Sequence, residues 1–212
     1  MTKRKFSVDR TVDSAVKWIR QQISLINKMG WTKMGCVFNM SGSLESSVVA
    51  ILCKMAFPED SLGIVMPIEN DDCNEDDARL IADTHNISVK VVDLTSVAIK
   101  MLDDLGNLTK NKDIERRVKD RLRMLTCYHV AEVYWYVVVS ELSGSKINSG
   151  EYTKFGNQGD IYPLGGMSLS QIADIAEKIG VPDRMINGVR GNSERAIIGK
   201  TYPDPIEPIF RI

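Results

Sequence analysis

The chain has 212 residues and is 43% hydrophobic, which is enough to bury one sizeable core and requires no second domain. Its 27 Lys and Arg nearly cancel its 28 Asp and Glu, excluding both a global basic field that would hold a nucleic-acid backbone and an acidic tail. The N-terminus runs from Met1 into the charged stretch 6–10, unlike a signal peptide, and no apolar run approaches the ~20 residues that cross a bilayer; the expectation is a soluble cytoplasmic protein with neither nucleic acid nor membrane as partner.

Apolar residues at Val12, Ala15, Val16, Ile19, Ile23 and Ile26 have the three-and-four spacing of an amphipathic helix ending near Gly30. Residues 35–40 form a short apolar run bounded by glycine and read as a buried strand, followed by a helix from Ser46 to Phe57 that Pro58 stops. Cys36 and Cys53 fall in these apolar runs. With no CxxC pair and no clustered His, the four cysteines Cys36, Cys53, Cys73 and Cys127 describe buried small hydrophobes in a reducing compartment, not a metal or disulfide framework. A strand at 62–66, a helix from Glu75 to His85 and a strand at 89–93 continue the alternation. That spacing of strands and helices predicts right-handed crossovers in a parallel sheet.

A long helix follows from Asp113 to about Tyr134, with Ile114, Val118, Leu122, Leu125 and Val130 on or near one face, long enough to serve as a subunit contact. It leads into a strand at 136–140. The aromatic group Tyr134, Trp135 and Tyr136 reads as core and interface packing. Residues 143–166 are glycine-rich with few periodic apolar positions, and read as a ligand-facing loop. A helix over 168–179 closes at Gly180 and Pro182, and residues 188–212 read as an irregular tail. The fold class is α/β, a doubly wound parallel sheet with helices on both faces, in a single domain over 1–212.

The strongest chemical signal is Ser41-Gly42-Ser43-Leu44-Glu45-Ser46-Ser47, placed after a strand and opening a helix. The backbone N–H groups of a tight small-residue turn, added to the positive end of a helix dipole, make a seat for phosphate or pyrophosphate. Hydroxyls of Ser41, Ser43, Ser46 and Ser47 would add donors. An ordinary strand-to-helix turn in which Ser46 caps the helix fits the same string. The acidic run Asp71, Asp72, Glu75, Asp76 and Asp77 lacks the ligand order of an EF-hand and reads as a solvated helix start, with acids favoured by the helix dipole.

This loop is similar to the Ser-Gly-Gly-x-Asp-Ser loop of ATP pyrophosphatases. Residues 56–58, 62–63, 66–67, 75–78, 92–95, 121–124, 150–156 and 160–164 follow in register, and together they resemble ammonia-dependent NAD synthetase over roughly residues 10–187. The resemblance implies a Rossmann-like fold of the ATP pyrophosphatase type, a homodimer through the long helix, and ATP with Mg²⁺. It also implies a two-step reaction in which the nicotinate carboxylate of deamido-NAD is adenylated and ammonia then displaces AMP. On the ATP side it assigns Ser41, Gly42, Ser43, Glu45, Ser46 and Ser47 to the phosphates and Glu45 to the metal. On the dinucleotide side it assigns Arg121, Lys154 and Asp160.

The chain departs from the family pattern at identifiable places. The second loop glycine is Ser43 and the loop aspartate is Glu45. The Gly-Thr-Gly-Asn-Lys-Ser-Glu segment falls on 140–146, where threonine becomes Glu141 and the metal-binding glutamate becomes Lys146. A later lysine becomes Leu169, and the C-terminal segment is shortened relative to the family. Lys146 is therefore the candidate catalytic residue, a point charge supplying what one metal ion would. Three readings stay open at this stage: amidation of deamido-NAD, ATP-dependent amidation of another carboxylate, and a dinucleotide- or partner-binding relative without turnover.

Overall fold

β1 (Gly35–Asn39) is buried from Gly35 to Phe38 because it is covered on both faces and paired on both edges. It lies parallel to β2 (Ser61–Val65) on one side and to β4 (Tyr136–Val139) on the other, and β3 (Ser88–Val91) extends the sheet beyond β2. The order is β3-β2-β1-β4, with a further parallel bridge from Val139 to Ile161 outside β4. The computed structural model describes residues 7–69, 73–105 and 111–188.

Strand alternation sorts the side chains into two cores. Cys36, Phe38, Val65, Val137 and Val139 face one way, where they pack with α1 (Val8–Lys28), α2 (Leu44–Ala56), α3 (Glu75–His85) and α7 (Leu169–Lys178). Val37, Ile64, Tyr136 and Val138 face the other, against α4 (Thr95–Asp104) and α5 (Lys112–Tyr134). This is a doubly wound α/β sheet of the Rossmann-like kind, as the alternation of elements predicts. Cys36, Cys53 and Cys127 are buried free thiols.

The departures from the sequence reading have local causes. α1 begins at Val8, earlier than its periodic stripe, with Ser7 at its cap position and the Thr11 hydroxyl donating to the Ser7 carbonyl at 2.8 Å. α4 is not anticipated: only Ala98 is buried in it, while Val97, Ile99 and Met101 are exposed, so no apolar stripe marks it. The expected loop at 143–166 contains a short helix, α6 (Gly144–Ser149), too brief to show a period and capped by Ser143. Trp135 does not pack in the core. It ends α5 in the left-handed conformation at φ 59 and is 57% exposed, whereas Tyr136, one residue into β4, is buried.

The acidic start of α3 is a capped helix end, only partly solvated: Glu75, Asp76 and Asp77 occupy its first turn, Asn74 accepts from the Asp77 amide at 3.1 Å, and the Asp77 carboxylate, 14% exposed, pairs with Arg184. Asp71 and Asp72 lie outside the described residues, as does the tail from 189 onward. Among the described residues no helix is long and apolar enough to cross a membrane.

Candidate functional site

The chain leaves β1 toward β2 on one side and reaches β4 on the other, so the strand order reverses between β1 and β4. In open α/β sheets the crevice outside the carboxyl ends at such a reversal is where ligands bind. Two segments border it: the serine loop after β1, and residues 140–143 after β4.

The serine loop is held tightly. Gly42 has φ +80, and a Cβ there would stand 2.2 Å from the Asn74 carbonyl oxygen, so both backbone conformation and space demand glycine. The Asn74 amide donates to the Ser41 carbonyl at 2.9 Å, tying the loop to the start of α3. Ser43, not Ser46, caps α2: its Oγ accepts from the Ser46 amide at 3.2 Å. The Ser46 and Ser47 hydroxyls both donate back to the Ser43 carbonyl, at 3.0 and 2.8 Å. Of the four hydroxyls expected to face a ligand, those of Ser46 and Ser47 are thus committed to the helix itself.

The Ser41 and Ser43 hydroxyls turn toward a carboxylate instead. Ser41 Oγ lies 3.1 Å from Ser43 Oγ and 3.4 Å from Glu141 Oε2, and Ser43 Oγ lies 3.5 Å from the same Glu141 oxygen. The other Glu141 oxygen is 3.9 Å from Lys146 Nζ, which stands 3.6 Å from Glu45 Oε1. One ammonium is thereby shared by two carboxylates, from α2 and from the segment after β4. Burial pushes the Glu141 carboxyl up from its ordinary range; Lys146 opposes that shift and Glu45 adds to it. For Lys146, burial pulls the ammonium down, but Glu141 and then Glu45 outweigh it and hold it above its usual value.

α5 contributes from the opposite side. Burial raises the Cys127 thiol to about 12, the Glu141 charge adds to this and the Arg123 charge opposes it, which places Cys127 and Arg123 in the electrostatic neighbourhood of Glu141. Arg123 Nε also donates to the Met66 carbonyl just beyond β2, at 3.3 Å. Neither Glu141 as an occupant of the cup nor Arg123 as its neighbour is read from sequence. The available signal was that Glu141 directly follows a strand end at the reversal.

The residues present do not suit a divalent metal as they stand. Among the described residues no three His, Cys, Asp or Glu side chains gather. Among the described residues, the carboxylates paired with Lys146, Glu45 and Glu141, already share its ammonium, whose positive charge repels a second cation there.

The dinucleotide-side residues are brought into one neighbourhood in part. Arg121 Nε on α5 donates to the Lys154 carbonyl at 3.2 Å, so these two are adjacent. The Lys154 ammonium lies 5.1 Å from the centre of the Phe155 ring. Asp160 is committed to the fold: its Oδ2 accepts from the buried Val138 amide at 2.9 Å and its Oδ1 from the Tyr128 hydroxyl at 3.1 Å. The shortened turn before it is well bonded, with Ser140 Oγ donating to the Asn157 carbonyl at 2.6 Å and Asn157 Oδ1 accepting from the Thr153 amide at 3.0 Å. Leu169 opens α7, its amide donating to Ser145 Oγ at 2.9 Å.

A parallel doubly wound sheet with a capped, glycine-containing loop at its strand-order reversal defines an α/β protein of the Rossmann-like class. The chain belongs to the NAD synthase family, whose model matches residues 11–189. It is 34% identical over 178 residues to the NH3-dependent NAD+ synthetase of Finegoldia magna, covering 82% of this chain and 70% of that protein. With the enzyme of the same description from Carboxydothermus hydrogenoformans it shares 31% over 206 residues, 92% of this chain and 83% of that one. Solved structures of similar fold include an NH3-dependent NAD synthetase from Campylobacter jejuni, with TM-score 0.78 at 18% identity, covering 90% of this chain and 83% of that one. An NMN synthetase from Francisella tularensis has TM-score 0.77 at 24% identity, covering 86% and 75%.

Two substitutions test the local account. Gly42→Ala is expected to destabilise the protein by about 1–3 kcal/mol, the cost of a non-glycine residue in a left-handed conformation, read from the midpoint of denaturant unfolding. Asp160→Ala leaves the buried Val138 amide without its acceptor and is expected to cost about 1–3 kcal/mol in the same measurement; unchanged stability would show that Asp160 is free to serve a ligand.

Proposed function

We propose that this chain is an ATP-dependent amide-forming ligase of the NAD synthetase kind, acting on the nicotinate carboxylate of deamido-NAD with ammonia. The observation that carries the reading is the cup at the strand-order reversal: a glycine-hinged loop at the start of α2 faced by the Lys146 ammonium. A carboxylate is a poor electrophile until one oxygen becomes a good leaving group. The carboxylate attacks the α-phosphate of ATP, pyrophosphate leaves, and the acyl adenylate forms. Ammonia then attacks the carbonyl carbon, AMP departs with the bonding pair, and one proton is lost from nitrogen.

The chain's own part is to position and to neutralise. The amino end of α2 is aimed at phosphate oxygens, and Lys146 provides a compact positive charge beside the departing pyrophosphate. The family uses Mg²⁺; in this cup the carboxylates that could ligate it, Glu45 and Glu141, are paired with the Lys146 ammonium. Arg121 and Lys154 supply cations on the dinucleotide side, whereas Asp160 acts by holding β4 and the turn beside it in place. The exposed apolar residues of α5, Leu125 at 67% and Val133 at 60%, support a homodimer along that helix. A cytoplasmic location agrees with the buried free thiols.

One observation favours a second reading, a relative that binds a dinucleotide or partner without turnover. The cup's two ligand-facing hydroxyls and its ammonium are all engaged by Glu45 and Glu141.

The deciding measurement is NAD formation from deamido-NAD and ATP with excess ammonium, expected to release pyrophosphate in equal amount. Dinucleotide binding by calorimetry with no NAD formed would establish the second reading instead. Lys146→Ala is expected to lower ATP–pyrophosphate exchange by about 100-fold, and an unchanged rate would remove Lys146 from the chemistry. In sedimentation, Leu125→Glu is expected to shift a dimer to monomer; a wild-type monomer would refute the α5 interface.

A further inference from the structure

Glu141 is the side chain of this site that no phosphate-binding role requires. It stands on the segment after β4, yet its Oε2 reaches the hydroxyls of Ser41 and Ser43 after β1, at 3.4 and 3.5 Å, and its Oε1 reaches Lys146 Nζ at 3.9 Å. A carboxylate and a phosphate oxygen ask for the same donors. Each serine hydroxyl carries a single proton: with Ser41 donating to Ser43 at 3.1 Å and Ser43 onward to Glu141, or Ser41 donating to Glu141 itself, those protons are not available to a ligand. The charges point the same way: the carboxylates of Glu45 from α2 and of Glu141 outnumber the ammonium of Lys146 from α6, with Glu151 a further carboxylate acting on Lys146 and Arg123 of α5 a further cation acting on Glu141.

We propose that Glu141 is the resident anion of the serine cup, an internal competitor that a phosphate group must displace in order to bind. This rests on the reading of the cup as a phosphate seat and assigns that seat its regulation. On displacement the Ser41 and Ser43 hydroxyls pass to the phosphate. Lys146 keeps Glu45 and exchanges Glu141 for the ligand, which needs only the three donors an ammonium has. Glu141 therefore sets a selection: a weakly held monoanion fails where a polyphosphate, carrying more charge per contact, succeeds.

The test is metal-free calorimetric titration of the full chain with inorganic pyrophosphate, comparing wild type with Glu141→Gln and Glu141→Asp. The glutamine keeps shape and removes charge, so pyrophosphate is expected to bind about tenfold more tightly or better. The aspartate keeps charge but is one methylene shorter, withdrawing the carboxylate from the hydroxyls, and is expected to fall between the two. Glu141→Gln that melts like wild type yet binds no more tightly overturns the proposal. If that variant does not fold, the aspartate decides, and an affinity equal to or below wild type overturns it. Equal binding by all three proteins sinks the internal competitor and leaves the phosphate seat standing. No binding by any of them removes the seat itself, and with it both readings.

Discussion

β1 is paired on both edges and covered on both faces, and its carboxyl end consequently delivers the chain into the crevice beside β4. Because β2 lies on one side of β1 and β4 on the other, the strand order reverses there, and the reversal creates an opening between neighbouring strand ends. The loop at Ser41, the segment at Glu141 and the amino end of α2 meet there for this reason. Shifting the β1–β4 register of Gly35↔Tyr136 through Phe38↔Val139 by one residue would send Val137 and Val139 to the wrong core. The register is therefore tightly specified, and with it the place where residue 141 emerges.

Within that opening the balance of charge decides the chemistry. An ammonium with two carboxylates is a different object from a cluster of acids awaiting a metal. It is self-neutralising to within one charge and satisfied without a ligand. Glu141 and Lys146 are both shifted upward, for different reasons: burial dominates at the carboxyl, whereas at the ammonium the neighbouring carboxylates outweigh burial. A site wired in this way favours an incoming group able to take over the contacts it breaks.

On the dinucleotide side, a residue placed by sequence also holds the fold together. Asp160 sits where a contact to ligand is expected, but both carboxylate oxygens are engaged, one on a β4 amide and one on Tyr128. It serves the same region through the backbone. Ser46 and Ser47 are parallel cases, since a hydroxyl in the first turn of a helix has a carbonyl within reach at no entropic expense.

Much was legible from residues alone. The alternation of apolar runs and amphipathic stripes gave the α/β class, the parallel sheet, and the loop at Ser41 with its glycine, because these follow from local spacing and from burial on one or two faces. α4 was not read, its one buried residue being the small Ala98, and α6 was not because six residues carry no period. The resemblance to the family's motif also marked Lys146 as a departure of consequence. Only the tertiary structure decided what Lys146 faces, that Ser43 is the cap, and that Glu141 crosses 98 positions to meet Ser43. Those contacts arise from β4 lying beside β1, and no pattern along a single strand encodes which strand will be its neighbour.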